Sequence, residues 1–351
     1  MGLVGPEELK GHWLRGGGPE GDVVLSSRIR LARNVAGWPF VPQLKAEQMT
    51  ELEGRLQDAI QGAGIDGRVL YFNLREAGPV DRLFLVERHL ISREHANSHG
   101  DRGVAVTPEE TVSVMTNEED HLRIQVLRPG LNVDETWREI DRIDNLLEQR
   151  LDYAFHGDFG YLTACPTNAG TGMRASVLLH LPALVLTRQI EKLFHAVSRI
   201  RLVVRGLYGE GTQALGDCYQ ISNQVALGCS EQDLLMNFRN FVPEIIRYER
   251  SVQGQLIKDD RSRLEERVRK AWEALRSART VSTESALEQL SLVRLGVQAG
   301  LVTELDLGSV NELFILIQPG HLQKREGRSL KPSDRDVARA NFIRARLGSD
   351  N

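Results

Sequence analysis

Apolar and polar residues alternate along much of the first two thirds of the chain, and apolar residues recur every three to four positions in the last third. "TVSVM" (111–115) and "LRIQVL" (122–127) follow a period of two on either side of the polar run "TNEEDH". This predicts two strands joined as a hairpin. "IRLVV" (200–204) predicts another strand, leading into the glycine-studded "RGLYGEGTQALGD". Helical spacing appears at 46–64, 133–151 and 187–200. Strands linked by short turns and interleaved with helices favour an α+β architecture, an antiparallel sheet flanked by helices.

Beyond residue 230 the period is helical throughout. Ser230 with Asp233 three residues on reads as an N-cap and its acidic partner. In "DDRSRLEERVRKAWEALRSA" (259–278), Leu264, Val268 and Trp272 fall four apart and predict one buried stripe. "TESALEQLSLVRLGVQAGL", "VNELFILI" and "SDRDVARANFIRARL" continue the helical pattern to the end. The expected organisation is an irregular segment over 1–21, a mixed unit over 22–255 and an all-helical unit over 256–351. "LFILI" (313–317) reads as a buried seam, either internal or between two copies of the chain.

Bulk properties narrow the function classes. At 351 residues the chain is long enough for two cores, and a formal net charge of −4 provides no overall basic field for nucleic acid. The apolar run Ala175–Leu186 is broken by His180 and Pro182 and is too short to span a bilayer. The first ten residues lack the basic and apolar regions of a signal peptide. Cys165, Cys218 and Cys229 are an odd set without CxxC spacing, so neither a disulfide framework nor a zinc site is expected. These features fit a reduced, soluble, cytoplasmic protein.

Four stretches hold candidate chemistry. In "SSRIRLARN", Arg28 and Arg30 are two apart and share a face if the segment is a strand, either as a solvated face or as a clamp for an anion. Glu118, Glu119 and Asp120 crowd the hairpin loop ahead of Arg123, as a solvated turn or as a site for a metal or guanidinium cation. Gly206, Gly209 and Gly211 surround Glu210, in a mobile surface loop or one that approaches a ligand closely. Cys165 lies nine residues before Arg174 in "CPTNAGTGMRASV"; a neighbouring guanidinium favours a thiolate, but no general base is legible. Neither GxxxxGK[ST] nor GxGxxG is present, so neither standard nucleotide cradle applies.

Together "SSRIR", "NEEDHLR", "CPTNAGTGMRASV" and "RGLYGEGT" with its later "ISN" resemble, in order, the motifs of the phosphagen kinases, the ATP:guanidino phosphotransferases. The resemblance spans about residues 22–250 and makes 22–255 a kinase-like catalytic domain. It implies ATP and Mg²⁺, with the ion held mainly by the phosphates and no direct protein ligand. The nucleotide contacts it implies are Ser26, Ser27, Arg28, Ile29 and Arg30; His89 and Arg123; Arg174, Ala175, Ser176, Val177 and Leu178; and Arg205, Gly206, Leu207, Tyr208, Gly209 and Glu210. Glu119 and Glu210 would face the substrate guanidinium with Cys165 beside it, and Glu118 would be a water-mediated neighbour of Mg²⁺.

Two departures are similar to the McsB-type protein-arginine kinases. Ser26 comes early, where relatives acting on free guanidino compounds carry a helical domain, and a helical unit is added at the C-terminal end. The tail "RDVARA" fits an RDxxRA motif associated there with phosphoarginine. Arg335, Asp336, Arg339 and Ala340 would form that regulatory pocket, with Ser333 capping the helix. The expected function is therefore phosphoryl transfer to arginine side chains of proteins, in stress response and protein quality control. The expected partners are a CtsR-type repressor, an McsA-type activator, the ClpC–ClpP protease and a second copy of the chain. The alternatives are a kinase for free guanidino compounds and a non-catalytic phosphoarginine-binding adaptor.

Overall fold

The structure is a computed structural model and describes residues 11, 13, 16–65, 67–207 and 214–348. Its centre is an eight-stranded sheet. In chain order the strands are β1 (Val24–Arg33), β2 (Leu70–Asn73), β3 (Gly103–Val106), β4 (Val112–Thr116), β5 (Leu122–Pro129), β8 (Met173–His180), β9 (Leu202–Gly206) and β10 (Cys218–Asn223). They lie side by side as β2-β3-β4-β5-β1-β8-β10-β9, every pair antiparallel. A separate hairpin joins β6 (Phe155–His156) to β7 (Gly160–Tyr161). The α+β expectation holds, and β4 and β5 form the hairpin expected around "TNEEDH".

Strand alternation divides the sheet into two chemically distinct faces. Ile29, Leu31, Ile124, Val126, Ala175, Val177 and Ile221 line one face and are buried. Helices α1 (Ala46–Gly62), α4 (Val133–Glu148) and α7 (Glu231–Asp259) pack there through Leu52, Leu56, Ile140, Ile143, Leu147, Phe238 and Val242. The opposite face of the same strands carries Arg28, Arg30, Arg123, Arg174, Ser176 and Gln220, set by the registers Arg28↔Ser176 and Arg30↔Arg174. At one end of the second face, Leu178 and Cys218 enter a core formed by α8 (Arg261–Ser277), α9 (Thr283–Gln298), α10 (Leu307–Leu316) and α12 (Pro332–Arg346). Between α10 and α12 lies α11 (Pro319–Glu326), and α2 (Pro79–Glu87) with α3 (Arg93–Asn97) flanks the arginine face. The C-terminal helices therefore close one end of the polar face and leave the rest open.

Several sequence expectations shift. The helical pattern at 187–200 becomes α6 (Ile190–Ser198) alone; a separate short helix, α5 (Pro182–Leu186), precedes it and ends before Arg188, whose φ of 58° cannot continue a helix. The strand expected from Ile200 begins at Leu202, because Arg201 turns the chain at φ 58°. Ser230 and Asp233 form the reciprocal cap as expected, and α7 continues past residue 255 to Asp259. The α8 stripe is Leu264, Val268, Ala271 and Leu275, with Trp272 only partly buried beside it. Ser333 does not cap α12: Lys331 is the N-cap and Pro332 starts the helix, where its fixed φ and missing N–H cost nothing. Leu313, Phe314, Ile315 and Ile317 are buried within the chain, so the "LFILI" seam is internal.

Candidate active site

An open cleft of about 610 Å³ lies on the arginine face, lined by Arg30, Arg123, Arg174, Arg205, Glu118, Glu119 and Cys165 among others. It adjoins a second cleft of about 1000 Å³ that holds Arg28, His89, Gly206 and Leu207. The wall of this second cleft comes partly from Thr283 and Glu284 at the start of α9 and Gln318 and Pro319 at the start of α11.

The guanidiniums are held unequally. Arg28 donates to Gln220 Oε1 at 2.7 Å, and Arg174 donates to Ser222 Oγ at 2.9 Å while its Nε is buried without a partner among the described residues. Arg30 has neither a hydrogen bond nor an ion pair among the described residues. Burial and the crowding of Arg174 and Arg123 push Arg28 down to about 10. Burial, then Arg28, Arg123 and Arg174, drive Arg30 well below its ordinary value, with only Glu118 opposing. Cations packed this closely raise each other's free energy, and an anion bound among them relieves it.

The carboxylates come from the β4–β5 turn. Asn117 takes φ 52°, and the turn closes through Asn117 N–H to His121 O at 2.9 Å. Glu118 is buried; Arg123 and Ser92 reach its carboxylate at 2.6 Å, and the Glu119 N–H does so at 3.1 Å. Burial pushes its carboxyl up, but Arg123, Ser92 and that N–H outweigh it and hold the group below the usual range. Glu119 is the accessible partner, 42% exposed, with Oε2 on Arg123 at 2.8 Å and on Asn168 Nδ2 at 3.5 Å. Asp120 does not join them. It is fully buried and accepts from Asn34 Nδ2 at 2.7 Å and the Ala164 N–H at 2.8 Å. The expected cluster of three acids is thus two site carboxylates and one tether that fixes the Cys165 loop to the hairpin.

Cys165 precedes the 3-10 turn Pro166–Asn168, half-buried, with Sγ 3.0 Å from Thr167 Oγ1. The loop rejoins β8 through Gly170 (φ 99°) and Gly172 (φ 65°), where a Cβ would stand 2.7 Å from Ala226 O and 2.6 Å from Ala32 O. His89 takes φ 60° just after α2, its carbonyl accepting from Gln125 at 2.7 Å. Burial and then Arg28 push its imidazole down to about 3, so it is neutral.

Not every expected residue reaches the cleft. Arg28, Arg30, His89, Arg123, Arg174, Arg205, Gly206, Leu207, Glu119 and Cys165 line the two adjoining spaces. Ser26, Ser176 and Leu178 line a narrow extension beside Arg28. Ser27, Ile29, Ala175 and Val177 turn to the other face; Ser27 Oγ donates to Gly130 O at 2.8 Å there, and the apolar three are core. Tyr208, Gly209 and Glu210 lie outside the described residues. Ser92, Asn168, Gln220 and Ser222 position the site and were missed, because isolated polar residues give no signal without the registers that gather them.

In the RDxxRA segment the two arginines are held unequally. Arg339 is buried and donates to Ile317 O at 2.9 Å, Val281 O at 2.8 Å and Asp336 Oδ1 at 2.6 Å. Ala340 is core, and Arg335 remains half-exposed.

The chain is similar to known proteins along nearly its whole length. Residues 51–252 match the ATP:guanido phosphotransferase C-terminal catalytic domain, and residues 261–351 match the protein-arginine kinase McsB C-terminal domain. Proteins named protein-arginine kinase are similar along nearly the whole length: 46% identical in Halothermothrix orenii, over 96% of each chain, and 48% in Symbiobacterium thermophilum, over 96% of this chain and 97% of the relative. That of Bacillus subtilis is 42% identical over 97% of this chain and 94% of the relative. Among solved structures, the duplicated taurocyamine kinase of Schistosoma mansoni aligns with a TM-score of 0.61 at 30% identity. The alignment covers 67% of this chain and 34% of that one, so the chain spans about a third of that protein's length. Lombricine kinase aligns at 0.58 and 27% identity over 72% and 73%. The chain belongs to the protein-arginine kinase family of ATP:guanido phosphotransferases.

Proposed function

We propose that the chain transfers the γ-phosphoryl group of ATP to arginine side chains of proteins. The observation that carries this reading is the meeting, in one open cleft, of a strip of guanidiniums on the sheet with Glu119 and Cys165 from two separate loops. Arg28, Arg30, Arg123, Arg174 and Arg205 would hold the triphosphate and offset charge on the transferring group, the main contribution a protein makes to phosphoryl transfer. His89 and Leu207, which line the adjoining cleft, would contact the rest of the nucleotide.

A protonated guanidinium, with a pKa above about 12, is a poor nucleophile. Glu119 would align the substrate guanidinium and accept its proton as the nitrogen attacks the γ-phosphorus and the bond to the ADP oxygen breaks. Its Oε1 has no hydrogen bond among the described residues, whereas both Glu118 oxygens already accept, from Arg123, Ser92 and the Glu119 N–H. Glu210 is assigned the second carboxylate role by its motif. Mg²⁺, when bound, neutralises charge along the phosphates. The ion would be held mainly by the ATP phosphates, with the Glu118 carboxylate toward its waters.

The division at about residue 255 and a cytoplasmic setting, read from the chain's pattern and composition, and the phosphoarginine pocket and the CtsR-, McsA- and ClpC–ClpP-type partners, implied by the family, are part of the same proposal. No helix among the described residues is long and apolar enough to cross a membrane. For the RDxxRA segment the proposal narrows: Arg339 is already committed to backbone carbonyls, which leaves Arg335 as the cation available to a phosphate. Because the "LFILI" seam is internal, it supports no dimer.

The test is incubation with Mg²⁺ and γ-labelled ATP, with free arginine in one sample and an arginine-rich protein in another. Acid-labile label on the protein is expected, reduced about a hundredfold or more by Glu119→Gln with ATP binding retained. Label on free arginine alone would make this a small-molecule guanidino kinase. Phosphoarginine binding without any transfer would favour the adaptor reading.

A further inference from the structure

The loop carrying Cys165 is bordered by apolar surface that no described residue covers. Phe155 is 60% exposed and Phe159 55% exposed, both on the β6–β7 hairpin. Phe155 stacks edge-on against Tyr161 at 5.3 Å, and Phe159 lies 5.0 Å from the His156 ring. Across Gly170, Val225 and Leu227 are exposed at 41% and 45% on the turn that follows β10. Gly170 joins the two parts. Its carbonyl accepts from Tyr161 N–H at 2.8 Å, and a Cβ on it would lie 2.7 Å from the Leu227 Cα. The hairpin, the Cys165 loop and the turn therefore form one continuous surface at the mouth of the cleft.

We propose that this surface, formed by Phe155, Phe159, Val225 and Leu227, receives apolar side chains flanking the target arginine of a polypeptide substrate. The inference rests on the protein-directed reading above. An arginine that reaches Glu119 and Cys165 leaves its own backbone at the mouth of the cleft. An extended chain advances about 3.3 Å per residue, so two or three residues on either side cover about 10 Å. Tyr161 and Cys165 are four positions apart, at most about 13 Å along the chain, so three or four flanking residues reach the hairpin. Two aromatic rings and two aliphatic side chains exposed together lose water favourably against apolar neighbours, whereas glycine or serine neighbours offer them little. The rim thus selects by context while the carboxylates select the guanidinium.

The test compares two peptides with one arginine each, flanked by leucines or by glycines and serines, against the wild type and Phe155→Ser/Phe159→Ser. The expected result is a KM for the leucine-flanked peptide raised about tenfold in the double variant, with kcat, the KM for ATP and the glycine-flanked peptide unchanged. Fluorescence anisotropy with leucine-flanked peptides carrying lysine for arginine measures binding without catalysis and should show the same loss. Equal effects on both peptides, or none on either, would overturn the proposal, as would a change confined to self-association in sedimentation. Rim-dependent binding of the lysine peptide by a wild type that phosphorylates no protein would uphold the rim and remove the protein-kinase reading instead.

Discussion

At Ile29 and Arg30 a single step along β1 moves a side chain from the core to the cleft. Ile29 is 1% exposed against α4 and α7, and Arg30 faces Arg174 across the ladder. Substitution should separate the two roles. Arg30→Ala is expected to leave stability unchanged or raised, because the side chain makes no bond among the described residues and its loss relieves repulsion from Arg28, Arg123 and Arg174, and to lower kcat/KM for ATP about a hundredfold. Ile29→Ala should lower stability by about 2–5 kcal/mol through the cavity it leaves. Urea unfolding and initial-rate kinetics on both variants check the pair, and an Arg30→Ala enzyme with normal ATP kinetics would remove Arg30 from the site. The same-face reading of Arg28 and Arg30 was legible in the sequence because strand alternation is local. That Ser27, Ile29, Ala175 and Val177 face away follows from the same rule, and a contiguous motif hides it.

At the scale of elements, α7 holds α5 through one buried carboxylate. Glu249 accepts from the Ala183 N–H at 2.8 Å and the Leu184 N–H at 3.1 Å, at the open start of α5. Burial raises its pKa from 4.5 to about 7, with Asp217 adding to the rise and the two N–H groups only partly opposing it. Between those values the folded chain keeps a proton that the unfolded chain has released. Stability contributed by this group should therefore fall as pH rises from about 4.5 to 7 and level off above that. In Glu249→Gln that slope should vanish, as measured by urea midpoints across the window; an unchanged slope would mean that Glu249 ionises normally in the fold. Most helices were legible from their period alone. The break at Arg188 was not, since a left-handed arginine leaves no mark in composition, and Ser333 misled because Pro332 can start a helix as well as a serine can cap one.

At the scale of the whole molecule, the C-terminal helices and the sheet share one buried polar joint. Arg294 on α9 is fully buried and donates to Asn311 Oδ1, Asp22 O, Gly21 O and His180 Nδ1 at 2.7 to 2.9 Å. His180 Nε2 continues to Ser291 Oγ at 2.8 Å, and Ser291 reaches Asp217 at 2.5 Å. With Nδ1 accepting from arginine, His180 is neutral, as burial and Arg294 also require. Arg294→Leu would strand several acceptors and is expected to cost about 3 kcal/mol or more. Leu178 and Cys218 of the sheet share a core with Leu287, Phe314 and Ile343, so sheet and C-terminal helices should unfold in one urea transition. Two separate transitions in the wild type would show that the joint does not couple them.

The sequence by itself determined the local features: the hairpin with its acidic turn, the two arginines on one strand face, the capped helix at Ser230 and four motifs in family order. Each depends on residues near one another in the chain, where period and turn chemistry act directly. Tertiary structure decided what depends on register and packing. It split Glu118, Glu119 and Asp120 into two site carboxylates and a tether, brought Gln220 and Ser222 under Arg28 and Arg174, and committed Arg339 to the carbonyls of Ile317 and Val281. Those partners lie tens to hundreds of residues apart, and only the antiparallel ladders and the shared C-terminal core bring them together.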